Sequence, residues 1–211
     1  MKKIVSIATK GDRPEQLKKA IESLQGQVDE IYVYDNTVRD DLTDNGKFYY
    51  LNELTDPCYY FTCDDDLLYP TDYIENMTEN IDKYNCIVTH HGRKLIGTGK
   101  KYYVGHIGFG CLRTVDADYE IDVAGTGVTG FRTDYFNPKV CAFSAYKRMS
   151  DVVFSLEAAK QNKTIMCLWH LEGWIKQQPV DNCIFEQSKH NDLIQSKLAD
   201  EIYLLRNKSL L

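Results

Sequence analysis

The sequence predicts an α/β domain with a mixed, mostly parallel central sheet flanked by helices. Three observations predict it. Ile4-Val5-Ser6-Ile7-Ala8, a helical stretch from Pro14, and Glu30-Ile31-Tyr32-Val33-Tyr34 follow one another as strand, helix and strand. That is a βαβ unit, which implies parallel strands and a right-handed crossover. Cys58-Tyr59-Tyr60-Phe61-Thr62-Cys63 is an aromatic run free of Gly and Pro, the pattern of a short buried strand, and it ends in Asp64-Asp65-Asp66. Finally, 211 residues with 43% hydrophobic content suit one domain with a sizeable core. No internal repeat, low-complexity tract or linker divides the chain, so residues 1–211 read as a single unit.

The elements follow in order. Pro14 suits the first turn of a helix, Leu17, Ala20, Ile21 and Leu24 recur at helical spacing, and Gly26 lies just past the end. The second strand ends at Asp35-Asn36, and Lys47 to Leu51 suggests a short strand. Pro70 opens a helix with Tyr73, Ile74, Met77 and Ile81 on one face, and residues 86–90 read as a strand. From Gly92 to Gly110 six glycines mark an irregular segment, a hairpin or a mobile loop. Tyr119 to Ala124 reads as a strand running into Gly125-Thr126-Gly127, a tight turn where backbone can approach a ligand closely. Ser150 suits the N-cap of a helix from Asp151 to about Gln161. Thr164 to Trp169 reads as a strand ending at His170. A last amphipathic helix runs from about Asn191 to Arg206, with Leu193, Ile194, Leu198, Ile202 and Leu205 on its apolar face.

Charge and cysteine usage narrow the function classes. A net charge of −6 argues against general nucleic-acid binding, which needs a basic footprint. Seven scattered cysteines without a CxxC pair point to reduced thiols in a soluble, cytoplasmic protein, not to zinc or a disulfide framework. The apolar run at the N-terminus is too short for a signal peptide, and no stretch approaches the roughly 18 apolar residues of a membrane helix.

The acid triplet is the candidate centre of chemistry. Three adjacent carboxylates at a strand end repel one another and cost stability unless a cation sits with them. A hard divalent ion, Mg²⁺ or Mn²⁺, suits carboxylate oxygens and fills its other positions with ligand phosphates. A solvated acidic turn before Pro70 is the alternative. If the strands ending at Thr9, Asp35 and Asp64 are parallel, Thr9, Arg13, Asp35 and the triplet converge on the carboxyl edge of the sheet, where open α/β sheets bind ligands.

Taken in order, these residues resemble nucleotide-sugar-dependent glycosyltransferases of the GT-A fold, whose sheet is Rossmann-like. The matching pieces are Ser6-Ile7-Ala8-Thr9, Arg13-Pro14, Tyr34-Asp35-Asn36 and the DxD motif Asp64-Asp65-Asp66. Gly125-Thr126-Gly127 before Phe131-Arg132-Thr133-Asp134, then Ser150-Asp151, then a strand ending at His170, complete the set, which covers about residues 1 to 175. The first half is similar to family 2 sequences, and the size to small microbial or viral sugar transferases. The resemblance implies a nucleotide-binding half at about 1–91 and an acceptor and catalytic half at about 92–211. It implies a hexosyltransferase-type activity that moves sugar from a UDP-sugar donor to a saccharide or glycoprotein glycan acceptor, with Mn²⁺ or Mg²⁺.

Roles follow residue by residue from the same resemblance. Ala8, Thr9, Arg13, Asp35, Asp64 and Asp65 match nucleotide-binding positions, with Asp64 also near the metal. Asp66 matches the metal-binding acid, and His170 a histidine that some members add. Asp151 matches the acid that removes the acceptor proton in inverting members. Gly125, Thr126, Gly127 and Trp169 fall on the sugar and acceptor side. Each has a second reading: an Asx turn at Asp35, a helix-dipole partner at Asp151, a core histidine at His170, core packing at Trp169. Arg13 can pair with Asp12 or Glu15, and Arg93, Lys94, Lys100 and Lys101 either meet diphosphate or form a solvated loop. The pattern departs from family 2 in two respects. A single Asp151 follows Ser150 where an acidic pair is common, and there is no Gln-x-x-Arg-Trp element. Both departures leave the stereochemical course open. A non-catalytic nucleotide-sugar-binding module and a haloacid-dehalogenase-type phosphatase are the competing classes.

Overall fold

The computed structural model describes residues 1–179 and 192–207. Strands are numbered β1 (Lys2–Thr9), β2 (Glu30–Asp35), β3 (Cys58–Asp64), β4 (Leu67–Leu68), β5 (Ile87–Thr89) and β6 (Gly92–Leu95). They continue as β7 (His106–Phe109), β8 (Tyr119–Ile121), β9 (Val123–Ala124), β10 (Val128–Arg132), β11 (Ile165–Cys167) and β12 (Lys176–Gln177). The helices are α1 (Pro14–Leu24), α2 (Tyr73–Tyr84), α3 (Ser150–Lys160) and α4 (Leu193–Arg206). Asn191, the expected start of the last helix, and Cys183 lie outside the described residues.

The fold is mixed α/β. Its seven-stranded central sheet runs in the order β2-β1-β3-β10-β5-β11-β8. β2, β1 and β3 are mutually parallel, β10 is antiparallel to both β3 and β5, β11 is parallel to β5, and β8 is antiparallel to β11. A strand's side chains alternate between the two faces of a sheet, and the core divides accordingly. Ile4 and Tyr60 point to one face, where Phe48, Leu51, Phe154 and Ile202 cover them. Val5, Ile7, Tyr59 and Phe61 point to the other, under Leu24 of α1 and Tyr73, Ile74 and Met77 of α2. Burying one side chain of this size contributes about 1.5–3 kcal/mol relative to leaving it exposed.

Several expected elements change. The segment expected as a strand at Lys47–Leu51 is a 3₁₀ helix, Thr43–Glu53. Side chains three apart stack in a 3₁₀ helix, and Asn45, Phe48 and Leu51 are all buried. Pro70 stands ahead of α2 in a turn, its carbonyl accepting the Tyr73 amide at 3.1 Å. The residues 92–110 contain the β6–β7 hairpin. The strand expected at Tyr119–Ala124 breaks at Asp122 into β8 and β9, which belong to different sheets. The Asp122 carboxylate there accepts the Leu95 amide at 2.8 Å and meets Lys94 Nζ at 3.2 Å. On α4, Leu198 and Ile202 are buried, but Leu193 and Ile194 are exposed; Gln195 and Ala199 take the inward positions.

Candidate functional site

Parallel pairing brings the carboxyl ends of three strands together. Thr9 sits beside Asp35 in the β1–β2 register, and Ala8 beside both Tyr34 and Asp64. A cleft of about 160 Å³ opens there, with Ala8, Thr9, Arg13, Lys47 and the acid triplet among its lining residues.

Each acid of the triplet has a different partner. Asp64 Oδ1 pairs with Lys47 Nζ, a buried ammonium from the 3₁₀ helix. Asp65 Oδ2 accepts a hydrogen bond from Thr9 Oγ1 at 2.8 Å, and its Oδ1 lies 3.6 Å from Arg13 Nη1. Asp66 Oδ2 accepts one from Arg13 Nη1 at 3.1 Å. The charge problem posed by the sequence is therefore partly met by the protein's own cations. It is not fully met, since three carboxylates share Arg13 and Lys47. Burial pushes Asp65 above the ordinary carboxylate range, against the Thr9 hydrogen bond. Asp66 is pushed up to about 6, by burial first and then by the charges of Asp64 and Asp65, with Arg13 opposing. Lys47 behaves oppositely. Burial alone would lower it, but Asp64, Asp44 and Asp151 hold it above the ordinary ammonium value.

The backbone around the triplet is braced from two sides, by Tyr69 and by the segment from β12 to Gln178. The Asp64 amide donates to Tyr69 Oη at 2.7 Å, and that hydroxyl donates to the Gly127 carbonyl at 2.8 Å. β12 pairs with β4 just after the triplet, and the Gln178 amide donates to the Asp66 carbonyl at 2.8 Å.

Gly125-Thr126-Gly127 is a turn, closed by the Val128 amide on the Gly125 carbonyl at 3.2 Å. Its glycines serve close approach within the protein. A Cβ on Gly127 would lie 1.9 Å from Asp64 Oδ2, and one on Gly125 2.5 Å from the His91 ring. Between them, Thr126 donates to Asp151 Oδ1 from both its amide and its hydroxyl, each at 2.8 Å. Asp64 and Asp151 thus stand on either side of one three-residue turn. Asp151 Oδ2 lies 3.9 Å from Arg93 Nη1, which donates to Tyr102 Oη at 2.8 Å. His91, held down to about 4 by burial and then Arg93, is pulled the other way by both Asp151 and Asp64. Ser150, expected as an N-cap, occupies the first helical position and makes no cap bond. Its hydroxyl instead meets Asp44 Oδ2 at 2.6 Å and Thr126 Oγ1 at 2.7 Å, tying α3 to the 3₁₀ helix.

Other expected residues stand apart from the cleft. Asp35 Oδ1 closes an Asx turn, accepting the Thr37 amide at 2.8 Å and its hydroxyl at 2.7 Å; these bonds lower its pKa. His170 is fully buried, with Nδ1 2.8 Å from the Leu168 carbonyl and Nε2 3.2 Å from that of Gly110. Both ring nitrogens face backbone carbonyls, which favours the core-histidine reading of the two that the sequence offered. Trp169 is 51% exposed and does not line the cleft. Trp174 packs on His90, with ring centroids 4.6 Å apart. Lys47, Asp44 and Tyr69 are site residues that no local pattern singled out.

No helix among the described residues is long and apolar enough to cross a membrane. The described cysteines, Cys58, Cys63, Cys86, Cys111, Cys141 and Cys167, are free thiols. No family model and no curated protein matches the chain. Among solved structures, the crystal structure of A197 from STIV is similar over 86% of this chain and 87% of that one, at 14% identity and a TM-score of 0.46.

Proposed function

We propose that the protein is a metal-dependent glycosyltransferase of the GT-A type, acting in a reducing, cytoplasmic compartment. It moves a sugar from a nucleoside-diphosphate sugar, with UDP the favoured nucleotide, to a hydroxyl of a saccharide or glycoprotein glycan. The observation that carries this reading is the pairing of two acidic centres across one turn: the triplet cleft on one side of Gly125–Gly127 and Asp151 on the other.

The chemistry needs both. Transfer breaks the bond from the anomeric carbon to the diphosphate and forms one to the acceptor oxygen. The donor's diphosphate falls at the cleft, where Arg13 and Lys47 stand with the acids. At about 160 Å³ the cleft is small against typical small-molecule sites of roughly 300–1,000 Å³. It suits the diphosphate end, with nucleoside and sugar extending along the open edge. Asp66 is the residue that would hold a divalent ion, with Asp64 as second carboxylate; a carboxyl raised to about 6 by burial and then by its acidic neighbours gains from such a cation. Bound there, Mn²⁺ or Mg²⁺ would supply positive charge to the departing diphosphate. Asp151 Oδ1 is committed to Thr126, so Oδ2, 3.9 Å from Arg93 Nη1, is the oxygen that would take an acceptor proton. The reading covers sugar transfer by either stereochemical course.

Thermal-shift titration with UDP-, GDP- and TDP-sugars, with and without Mn²⁺, tests it, because ligand binding stabilises the native state according to occupancy. A Mn²⁺-dependent shift with one nucleotide sugar, lost in Asp66→Ala, is expected. If Asp66→Ala kept that shift, the assignment of the metal site would fail. Donor binding without hydrolysis or transfer would leave a nucleotide-sugar-binding module. Phosphate release from a simple phosphomonoester would favour the phosphatase class.

A further inference from the structure

The β6–β7 hairpin carries a pattern that the proposed reaction does not use. In a chain of net charge −6, six of the 25 basic residues and none of the 31 acidic ones lie between Lys83 and Val115. Lys83, Arg93 and Lys94 are engaged by Asp118, Asp151 and Asp122. Lys100 and Lys101 sit exposed at the hairpin tip. With Lys197 of α4 they line an open hollow of about 430 Å³. The acids in that hollow, Asp200 and Asp192, accept the backbone amides of Gly99 at 2.9 Å and Tyr103 at 3.4 Å. Together with the Tyr102 amide on Ser196 Oγ at 2.9 Å, these bonds fasten the tip to α4.

Apolar side chains crowd the same tip, and no other described residue covers them. Ile96 is 55% exposed, Val104 74% and Ile107 56%. Ile96 and Val104 are close because the Ile96 amide donates to the Gly105 carbonyl at 3.3 Å. Leu193, in the first turn of α4, is 62% exposed. Single exposed apolar residues are ordinary on protein surfaces. Four on one hairpin and its docking turn, set among three lysines, are the composition of an interfacial element. Apolar groups enter the headgroup boundary while lysines meet anionic lipid.

We propose that the tip of the β6–β7 hairpin, with the adjoining first turn of α4, docks on an anionic lipid bilayer surface. Charge complementarity favours that occupant over the others. A second copy would bring Lys100 and Lys101 of one tip against those of the other, since Asp200 and Asp192 are turned to the Gly99 and Tyr103 amides. A nucleic acid would pair the lysines but leave Ile96, Val104 and Ile107 in water. The surface is independent of the donor cleft, so the inference stands whether or not sugar transfer is the reaction.

Vesicle flotation tests it, with phosphatidylcholine vesicles prepared with and without phosphatidylserine. The wild-type chain is expected to float with phosphatidylserine-containing vesicles and to stay behind with phosphatidylcholine alone. Each lysine near an anionic surface is worth about fivefold in binding, so Lys100→Gln with Lys101→Gln is expected to weaken partitioning by roughly 30-fold. Val104→Ser with Ile107→Ser keeps the charge, and its residual binding is expected to vanish at high salt, where that of wild type persists in part. All four positions are exposed, and an unchanged melting temperature confirms that the variants fold. Failure of wild type to float at low salt would overturn the proposal. So would equal flotation of the lysine variant, or retention on an anionic protein matrix without any vesicle binding.

Discussion

Two clusters of titratable side chains stand on the same edge of one sheet, and they handle charge in opposite ways. At the end of β3, Asp64, Asp65 and Asp66 stay in a cleft beside two cations. At the ends of β5 and β11, His90 and His170 meet with Nδ1 atoms 3.3 Å apart, closed in by Tyr73 and Trp174. His90 Nε2 is buried with no hydrogen-bond partner among the described residues. Burial, then the neighbouring His170, depresses His90 well below the ordinary histidine value. Burial disfavours the charged form in both places. In Asp65 and Asp66 it favours gaining a proton; in His90 it favours losing one. An edge that holds unrelieved negative charge is suited to bind a cationic or metal-bridged group. The histidine pair, buried and packed, serves the core.

The largest expected effect is removal of the cation that two of the acids share. Arg13→Ala leaves Asp65 and Asp66 without it in a mostly buried site. It is expected to cost about 2–4 kcal/mol, below the range for fully buried pairs because the site still reaches solvent. Urea unfolding at about pH 7.5 in EDTA reads this. Adding Asp66→Asn to Arg13→Ala should recover about 1–2 kcal/mol, since one of the stranded charges is gone. No recovery would mean that Arg13 acts by packing alone.

Asp66→Asn by itself should stabilise the protein. The folded-state pKa, about 6, lies above the unfolded value of about 4, so the native state binds the extra proton between them. The stability contribution of Asp66 is therefore fully present below about pH 4 and is lost as pH rises through about 6. The variant is expected to be about 1–3 kcal/mol more stable than wild type at about pH 7.5 without metal, and to lose that advantage near pH 4. The loss of the Arg13 hydrogen bond keeps the gain toward the lower figure. Unfolding curves at the two pH values check it, and wild type should close the gap when Mn²⁺ is added.

The histidine pair predicts the opposite slope. A depressed His90 contributes stability above the unfolded histidine value of about 6.5, and this is lost as pH falls. His90→Phe fits a site already lined by Tyr73 and Trp174 and leaves no unpartnered ring nitrogen. It is expected to change stability by no more than about 1 kcal/mol at neutral pH and to flatten the fall below about pH 6. Melting temperatures across that range distinguish it from wild type, and an unchanged acid slope would place the sensitivity elsewhere.

The two clusters also show where sequence reasoning reaches. The strand, the βαβ unit and the convergence of Thr9, Arg13 and the triplet were legible because each rests on local periodicity plus the parallel rule. Lys47 was not legible. It lies on a 3₁₀ helix whose pattern imitates a short strand, and its partner Asp64 is set by tertiary packing. β10 was hidden by Gly130, which reads as a break. In the structure a Cβ there would lie 2.6 Å from the Phe61 ring, so the glycine admits that ring into the sheet. For His170 the sequence left a ligand and a core histidine as equal readings, because backbone carbonyls 2.8 Å and 3.2 Å from its nitrogens leave no mark in the residue order.

Asp35 sharpens the comparison with the smallest expected effect. It ends β2 beside Thr9, on the same edge as both clusters, yet it is mostly outside the exchange of charge between them. Its Oδ1 accepts two bonds from Thr37, and those bonds lower its pKa. An asparagine side-chain oxygen can accept the same two bonds and close the same turn. Asp35→Asn is therefore expected to leave both the melting temperature and the donor-induced shift unchanged. Asp35→Ala, which opens the turn, should lower both. If Asn instead abolished the donor shift while the fold stayed intact, the negative charge itself would be what the donor meets. Asp35 would then join the triplet as a further carboxylate of the site: half-buried, ionised and aimed at ligand.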